Sequence, residues 1–378
     1  MNISPRDKNS AVTILAAKKI LTNFDCGQTK DFRWRHGAYN QLVSICDPQP
    51  NKSTMLSPFS LLLTLSFLFF LNPSLLFCHA QAPKISFLGN TPDAQIQRTM
   101  TALQDTFHIV RVAALTFCSA EPVFLRYFQP NEATFVRNIF RQLANIPLDQ
   151  VITSENVVDL ITSPPYAGLN QKLEYSWILL DQDPYQKCVD PGYNAYMHYD
   201  NPQLDALIIL CDHGFRWPSI EEIANPPQTA WARDSQGHPL PGYSCDNLGT
   251  FDSDWMKTMG AVILHEYLHW GFYFTNVPGW HLKIAPDPAQ GGKRDIEDYA
   301  GQLGPPAVGS GPYNAKLIND NYGNTGQPFA PTLNNVENYV WFAVSKYWSW
   351  RCGRDFAAAP SGDAASKREA SGFRPFWP

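Results

Sequence analysis

No two cysteines of this chain stand in a Cys-x-x-Cys pair, which argues against a cysteine-built zinc site or a thiol-redox motif. Positive charge is not in excess. With 29 Lys and Arg against 34 Asp and Glu, the formal net charge is −5, so the concentrated basic face that nucleic acid calls for is missing and no nucleic-acid partner is expected. No internal repeat is visible. After residue 82 no Asn-x-Ser/Thr acceptor occurs, which excludes N-glycosylation of that part. The strongest apolar run, Leu61 to Leu71, is about a dozen residues long where a bilayer span needs about twenty.

What is present is a globular composition. Hydrophobic residues are 44% and aromatics 13% of 378 residues, enough for a sizeable core, and 31 prolines imply many irregular connections. The apolar run opens at Met55 and leads to Ala80-Gln81-Ala82, the pattern of a secretory signal peptide over 55–82. Residues 1–54 then read as an over-extended start, or as a cytosolic tail if 56–77 acts as a signal anchor. Either route delivers the rest to an oxidising compartment, so a secreted, extracellular protein is expected, without stable membrane association unless that anchor is kept. Beyond the signal lie Cys118, Cys188, Cys211, Cys245 and Cys352, which allow two disulfides and one remaining thiol.

Apolar spacing predicts helices over 95–117 and 131–143, strands over 175–180, 195–199 and 206–211, and loops dense in Pro and Gly over 213–250. A long helix is expected over 253–274, capped by Asp252 or Ser253, then helices over 313–319 and 336–351. Residues 356–378 read as a disordered tail. The expected architecture is α+β: one domain over 83–355, mainly helical, with a small mixed sheet. A sheet edge beside the long helix would let an extended peptide add as a further strand.

Inside that helix lies His265-Glu266-Tyr267-Leu268-His269, preceded by the wholly apolar 259–264. Residues four apart share a helix face, so two imidazoles can hold one Zn²⁺ with the glutamate beside it as general base. With nine histidines in the chain, chance alone would place an HExxH in roughly one such chain in a hundred. A third protein ligand is needed. The metzincin pattern demands Gly and His where Phe272 and Thr275 stand, and is excluded. Asp298, Asp295, Glu297, Glu337 and His281 remain as candidates.

The order of HExxH, the block Asp295-Ile296-Glu297-Asp298-Tyr299, the Pro312–Asp320 segment and the Asn335–Ala343 helix resembles the fungal deuterolysin-like and lysine-specific metallo-endopeptidases, the aspzincins. The resemblance spans about residues 205–350. It implies a zincin-like fold, with His265, His269 and Asp298 as zinc ligands and Glu266 as base. The family's oxyanion-steadying tyrosine falls where Ser310-Gly311 stands, leaving Tyr313 or Tyr299 for that role. The expected function is that of a secreted, monomeric zinc endopeptidase acting on protein or peptide substrates. The alternatives are a zincin-fold binding protein without turnover, and a gluzincin-type aminopeptidase using Glu297.

Overall fold

In the computed structural model, residues 83–162, 171–190, 192–199, 205–325 and 329–361 are described. The expected signal sequence, the extension before it and the tail beyond 361 lie outside them. Among the described residues, no helix is long and apolar enough to cross a membrane.

Four short strands form one mixed sheet in the order β1-β2-β4-β3: β1 (Lys84–Phe87), β2 (Ser176–Leu180), β3 (Ala195–His198) and β4 (Ala206–Leu210). The first three in that order run parallel, and β3 closes the row antiparallel to β4, with Ala195 opposite Leu210 and His198 opposite Leu207. Alternation of side chains sorts the sheet into two faces. Ile178, Leu180, Ile208 and Leu210 point into the main core, while Leu179, Tyr196, Ile209 and Cys211 form a small outer cluster. The Cys188–Cys211 disulfide ties the loop ahead of β3 to that outer face. Being at the end of the row, β3 has one side unpaired within the sheet.

Among the described residues ten α-helices accompany this sheet: α1 (Asp93–Leu115), α2 (Pro122–Tyr127), α3 (Ala133–Leu143), α4 (Val157–Thr162), α5 (Ile220–Ala224), α6 (Met259–Leu268), α7 (Gly271–Phe274), α8 (Trp280–Lys283), α9 (Pro312–Tyr322) and α10 (Val336–Cys352). The expected α+β class and the helices at 95–117, 131–143, 313–319 and 336–351 are found with shifted ends.

The apolar stretch 259–264 is buried on every side because α6 runs through the middle of the molecule. It meets the sheet on one side and α1 on the other. Gly260 makes the second contact possible, since a Cβ there would lie 2.6 Å from the Asp105 Cβ and 2.9 Å from the Ala102 carbonyl oxygen. At this crossing the Thr106 hydroxyl donates to the Gly260 carbonyl at 2.9 Å. The N-terminal helices therefore belong to the same core as the HExxH helix. Helix α10 fills the remaining side with Tyr339, Trp341, Phe342 and Trp348, all almost fully buried and each contributing roughly 2–3 kcal/mol by burial.

Three expectations need correction. The single helix over 253–274 is divided. Thr258 is the cap, its Oγ accepting from the Ala261 amide at 3.1 Å, and the chain breaks at Trp270, whose ψ of 79° is not helical. Asp252 caps nothing: it is fully buried, pairing with Arg126 and accepting the Tyr127 hydroxyl at 2.5 Å. The packed chain also continues past 355, because Phe356 is buried and the Asp252 amide donates to the Ala357 carbonyl at 2.9 Å. Cys245–Cys352 forms the second disulfide, and Cys118 stays a buried thiol, as the count of five allowed.

Candidate metal centre and active site

Helix α6 brings His265 and His269 to the floor of a cleft of about 770 Å³, which runs alongside β3. Each imidazole is fixed by its Nδ1. That of His265 lies 2.9 Å from Glu337 Oε1, on the first turn of α10, and that of His269 lies 2.7 Å from the Ile296 carbonyl oxygen. A carbonyl only accepts, and the Glu337 carboxylate is held near pKa 2: burial opposes this, but the His265 hydrogen bond and Lys257 outweigh it. Both Nδ1 atoms are therefore donors, and in the neutral rings both Nε2 atoms face the cleft as acceptors.

There they converge. The two Nε2 atoms are 3.1 Å apart. Asp298 sets its Oδ1 3.4 Å from His265 Nε2 and its Oδ2 3.6 Å from His269 Nε2. Atoms bound at the usual zinc distances to a tetrahedral ion stand about 3.3 Å from one another, so the trio has the spacing and the N, N, O chemistry of a metal site. Two imidazole lone pairs facing each other this closely repel unless a cation or proton sits between them. Among the described residues, His265, His269 and Asp298 are the group whose donors converge in this way. Burial opposes charging the histidines, but hydrogen bonds to Asp298, and for His265 also to Glu337, raise both pKa values. The same contacts hold the Asp298 carboxyl far below the ordinary carboxylate range against the effect of its own burial.

Asp298 reaches this place because the 294–298 segment closes on the end of α6. A Cβ at position 271 would collide with the Arg294 carbonyl and the Asp295 carboxylate, so only glycine fits. On the other side Glu297 pairs with Asn335, its amide bonding the Asn334 carbonyl at 3.2 Å and its own carbonyl accepting from Val336 at 3.0 Å. The segment is thereby held between the C-terminus of α6 and the N-terminus of α10.

Glu266 lines the same cleft and is 5% exposed. Burial raises its pKa, and the two imidazoles together with a hydrogen bond from the Met197 backbone of β3 oppose the shift. A carboxylate moved up in this way is a better proton acceptor near neutral pH than one in water.

The remaining sequence candidates fall elsewhere. Asp295 is buried and occupied: it takes the Tyr199 hydroxyl, the Gly271 amide at 3.1 Å and the Lys293 ammonium at 3.0 Å. Glu297 lines the cleft with an exposed side chain but is outside the converging trio. His281 is exposed on α8 and does not line the cleft. Glu337 holds His265 by Nδ1 rather than joining the trio. Tyr299 borders the cleft, yet its hydroxyl donates to the Gly304 carbonyl at 2.9 Å and accepts from the Leu303 amide at 3.2 Å. Tyr313 is half-buried and does not line the cleft. Sequence reasoning missed the orienting role of Glu337. Its signal is an acid in the first turn of a helix whose following residues, Tyr339 to Val344, are all apolar or aromatic, where a carboxylate must find partners.

Comparison with protein-family models, with curated proteins and with solved structures finds no match to this chain.

Proposed function

We propose that this chain is a secreted zinc-dependent endopeptidase with a zincin-like fold, related in design to the aspzincins. The observation that carries the reading is the convergence of two Nε2 atoms and one carboxylate at metal-ligand spacing beside a buried glutamate and an edge strand. His265, His269 and Asp298 would hold the ion. Zinc held there would supply Lewis acidity towards a peptide carbonyl and towards water.

The chain's own groups do the rest. Glu266 accepts a proton from the attacking water and returns it to the leaving amine. The side of β3 away from β4 offers backbone donors and acceptors to an extended peptide, aligning it along the cleft. Glu337 and the Ile296 carbonyl keep the imidazoles in the tautomer that binds metal. The two disulfides and the signal-like 55–82 support secretion.

A second reading, a binding protein of the same fold without turnover, draws on the Tyr299 hydroxyl, which is engaged in its own loop. One mass-spectrometric digest of casein, with and without chelator, separates the readings. Internal fragments that vanish on chelation and in Glu266→Gln support the endopeptidase. Release of single terminal residues supports the aminopeptidase using Glu297. An inert zinc-loaded protein refutes peptidase function altogether.

A further inference from the structure

The outer face of β3 borders the cleft with rings. Successive side chains of a strand point to opposite sides. Ala195 and Met197 therefore turn towards the main core and α6, while Tyr196 and His198 turn to the outer face of the sheet. The Tyr185 ring lies against His198 with centroids 3.6 Å apart and meets Tyr196 edge-on at 6.4 Å. Tyr193 also meets Tyr196 edge-on, at 6.4 Å. Tyr193, Tyr196 and His198 all line the cleft.

This aromatic rim is firmly held. Tyr196 is its base: the ring is buried, the hydroxyl donates to Asp183 at 2.5 Å, and the Lys187 ammonium stands 5.2 Å from the ring centre. Asp183 also accepts from the amides of Lys187 and Cys188 at 3.1 and 2.9 Å. Cys188 is bonded to Cys211 at the end of β4, so the loop that carries Tyr185 is tied down at both its acid and its disulfide. On this base Tyr185 and Tyr193 stand 39% and 40% exposed. Large rings gathered in the open beside a cleft mark a place where an apolar partner gains by covering them. Rings already held in position lose little freedom when covered.

The backbone of β3 relates this rim to the chemistry. In an antiparallel pair, successive residues turn their N–H and C=O groups alternately to the partner and away from it. The Asn194 carbonyl accepts from the Cys211 amide at 3.1 Å, so Asn194, Tyr196 and His198 turn theirs to β4, and Ala195 and Met197 turn theirs to the other side. On that side the Met197 backbone meets the Glu266 carboxylate. A peptide laid there points the residue level with Met197 inward, towards Glu266 and the imidazoles. The residues before and after it point outward, beside Tyr196 and His198, whichever way the peptide runs. Aromatic side chains at those two places would pack on the exposed rings, and aromatic pairs gain more than their area alone gives. Resting on the endopeptidase reading above, we propose that Tyr185 and Tyr193, backed by Tyr196 and His198, select substrates with two aromatic residues separated by one. The cut then falls at one of the two peptide bonds of the residue between them.

The test uses capped peptides of Gly and Ser around a centre of Phe-Ala-Phe, Leu-Ala-Leu, Ala-Phe-Phe or Ala-Ala-Ala, digested by the zinc-loaded enzyme beside casein. Phe-Ala-Phe should exceed Ala-Ala-Ala in kcat/KM by about tenfold, the equivalent of ~1.4 kcal/mol. It should exceed Leu-Ala-Leu and Ala-Phe-Phe by about threefold, with mass spectrometry placing the cut at the central alanine. The same order should appear in fluorescence anisotropy of labelled peptides on zinc-loaded Glu266→Gln, which needs no turnover. Replacing Tyr185 and Tyr193 together by Ala should shrink the tenfold ratio to about twofold or less. Replacing both by Leu, which keeps apolar bulk, should abolish the preference for Phe over Leu. Tyr175→Ala, at a tyrosine that is equally exposed but does not line the cleft, should leave every ratio at its wild-type value. Equal rates for Phe-Ala-Phe and Ala-Ala-Ala, a Leu-Ala-Leu or Ala-Phe-Phe peptide as good as Phe-Ala-Phe, ratios unchanged in both double variants, or cleavage of casein but of none of the peptides overturn the proposal while leaving the endopeptidase intact. A zinc-loaded wild type that cuts neither casein nor the peptides overturns the endopeptidase reading and this proposal with it.

Discussion

Replacing Glu337 by glutamine confronts its neighbours with incompatible demands. The carboxylate faces three donors: His265 Nδ1 at 2.9 Å on one oxygen, and the Gly311 amide at 2.9 Å and the Trp341 indole at 2.8 Å on the other. A glutamine has one accepting oxygen and one donating nitrogen in the same space. If the oxygen turns to His265, the amide nitrogen meets two N–H groups that lose their acceptor. A buried unsatisfied donor costs about 1–3 kcal/mol, so this orientation destabilises the metal-free protein by roughly 2–5 kcal/mol. If the oxygen serves Gly311 and Trp341 instead, the NH₂ group forces His265 Nδ1 to accept. The ring proton then sits on Nε2 and blocks the metal.

In the first case the loss appears as stability; in the second, zinc affinity should drop by about 10–100-fold, the range seen when an orienting partner of a ligand histidine is lost. The assay is a competition titration against a zinc chelator, paired with thermal melts of the metal-free protein. A Glu337→Gln variant that binds zinc within twofold of wild type and melts at the same temperature would refute the reasoning.

Further outcomes follow from the same geometry. His265→Ala and His269→Ala should lose stoichiometric zinc, whereas Glu266→Gln should retain it and release no casein fragments. Asp298→Ala should lose zinc and Glu297→Ala should not, as read by metal analysis; full occupancy in the Asp298 variant would sink the aspzincin-like ligand set. Asp105, packed at the α1–α6 crossing, has its pKa raised to about 7 by burial, with Glu222 and Glu221 adding to the shift against the Ile220 amide and Arg98. A raised folded pKa means stability that is complete below about pH 4 and is lost as pH climbs through 7, so Asp105→Asn should out-melt wild type at pH 8 by roughly 2–4 kcal/mol and gain nothing at pH 4. Equal stabilities at pH 8 would show that the carboxyl is not buried as described. Opening Cys245–Cys352, which spans 107 residues, by paired Ser substitutions should cost about 3–5 kcal/mol in denaturant titration.

What the sequence disclosed, it disclosed through short-range pattern. His265, Glu266 and His269 sit within one turn of helix, so their relation needs no tertiary knowledge. Strands such as Ala206–Leu210 and helices such as Ala133–Leu143 carry their own period. Asp298 came from resemblance rather than spacing, because its approach to the imidazoles depends on Gly271 admitting the Arg294–Asp295 backbone. Nothing near Asp298 in the sequence announces that contact. The sequence pattern extends the helix too far at both ends for a related reason. Residues 270–274 are apolar enough to continue it, but Trp270 leaves helical geometry to be buried, and at the other end Ser253 starts a separate short turn. Tyr299 and Tyr313 are tyrosines in the right stretch of sequence, but hydroxyl direction is a tertiary property. His108 shows the converse. A lone histidine among apolar helix neighbours is by default packing, and His108 lies against Tyr347 and Trp350, with burial lowering its pKa to about 4.

The bond from Glu337 to His265 joins positions 72 residues apart, and it bears on when the site comes into being as well as on its strength. Synthesis delivers α6 with both histidines long before α10. Until residue 337 has emerged and docked, the His265 ring has no partner to choose its tautomer, and the 295–298 segment lacks the Asn334–Val336 backbone that pins it. A chain interrupted between His269 and α10 is thus left with the whole HExxH sequence but without the partner that orients His265. On the endopeptidase reading, hydrolytic competence waits for α10 to dock.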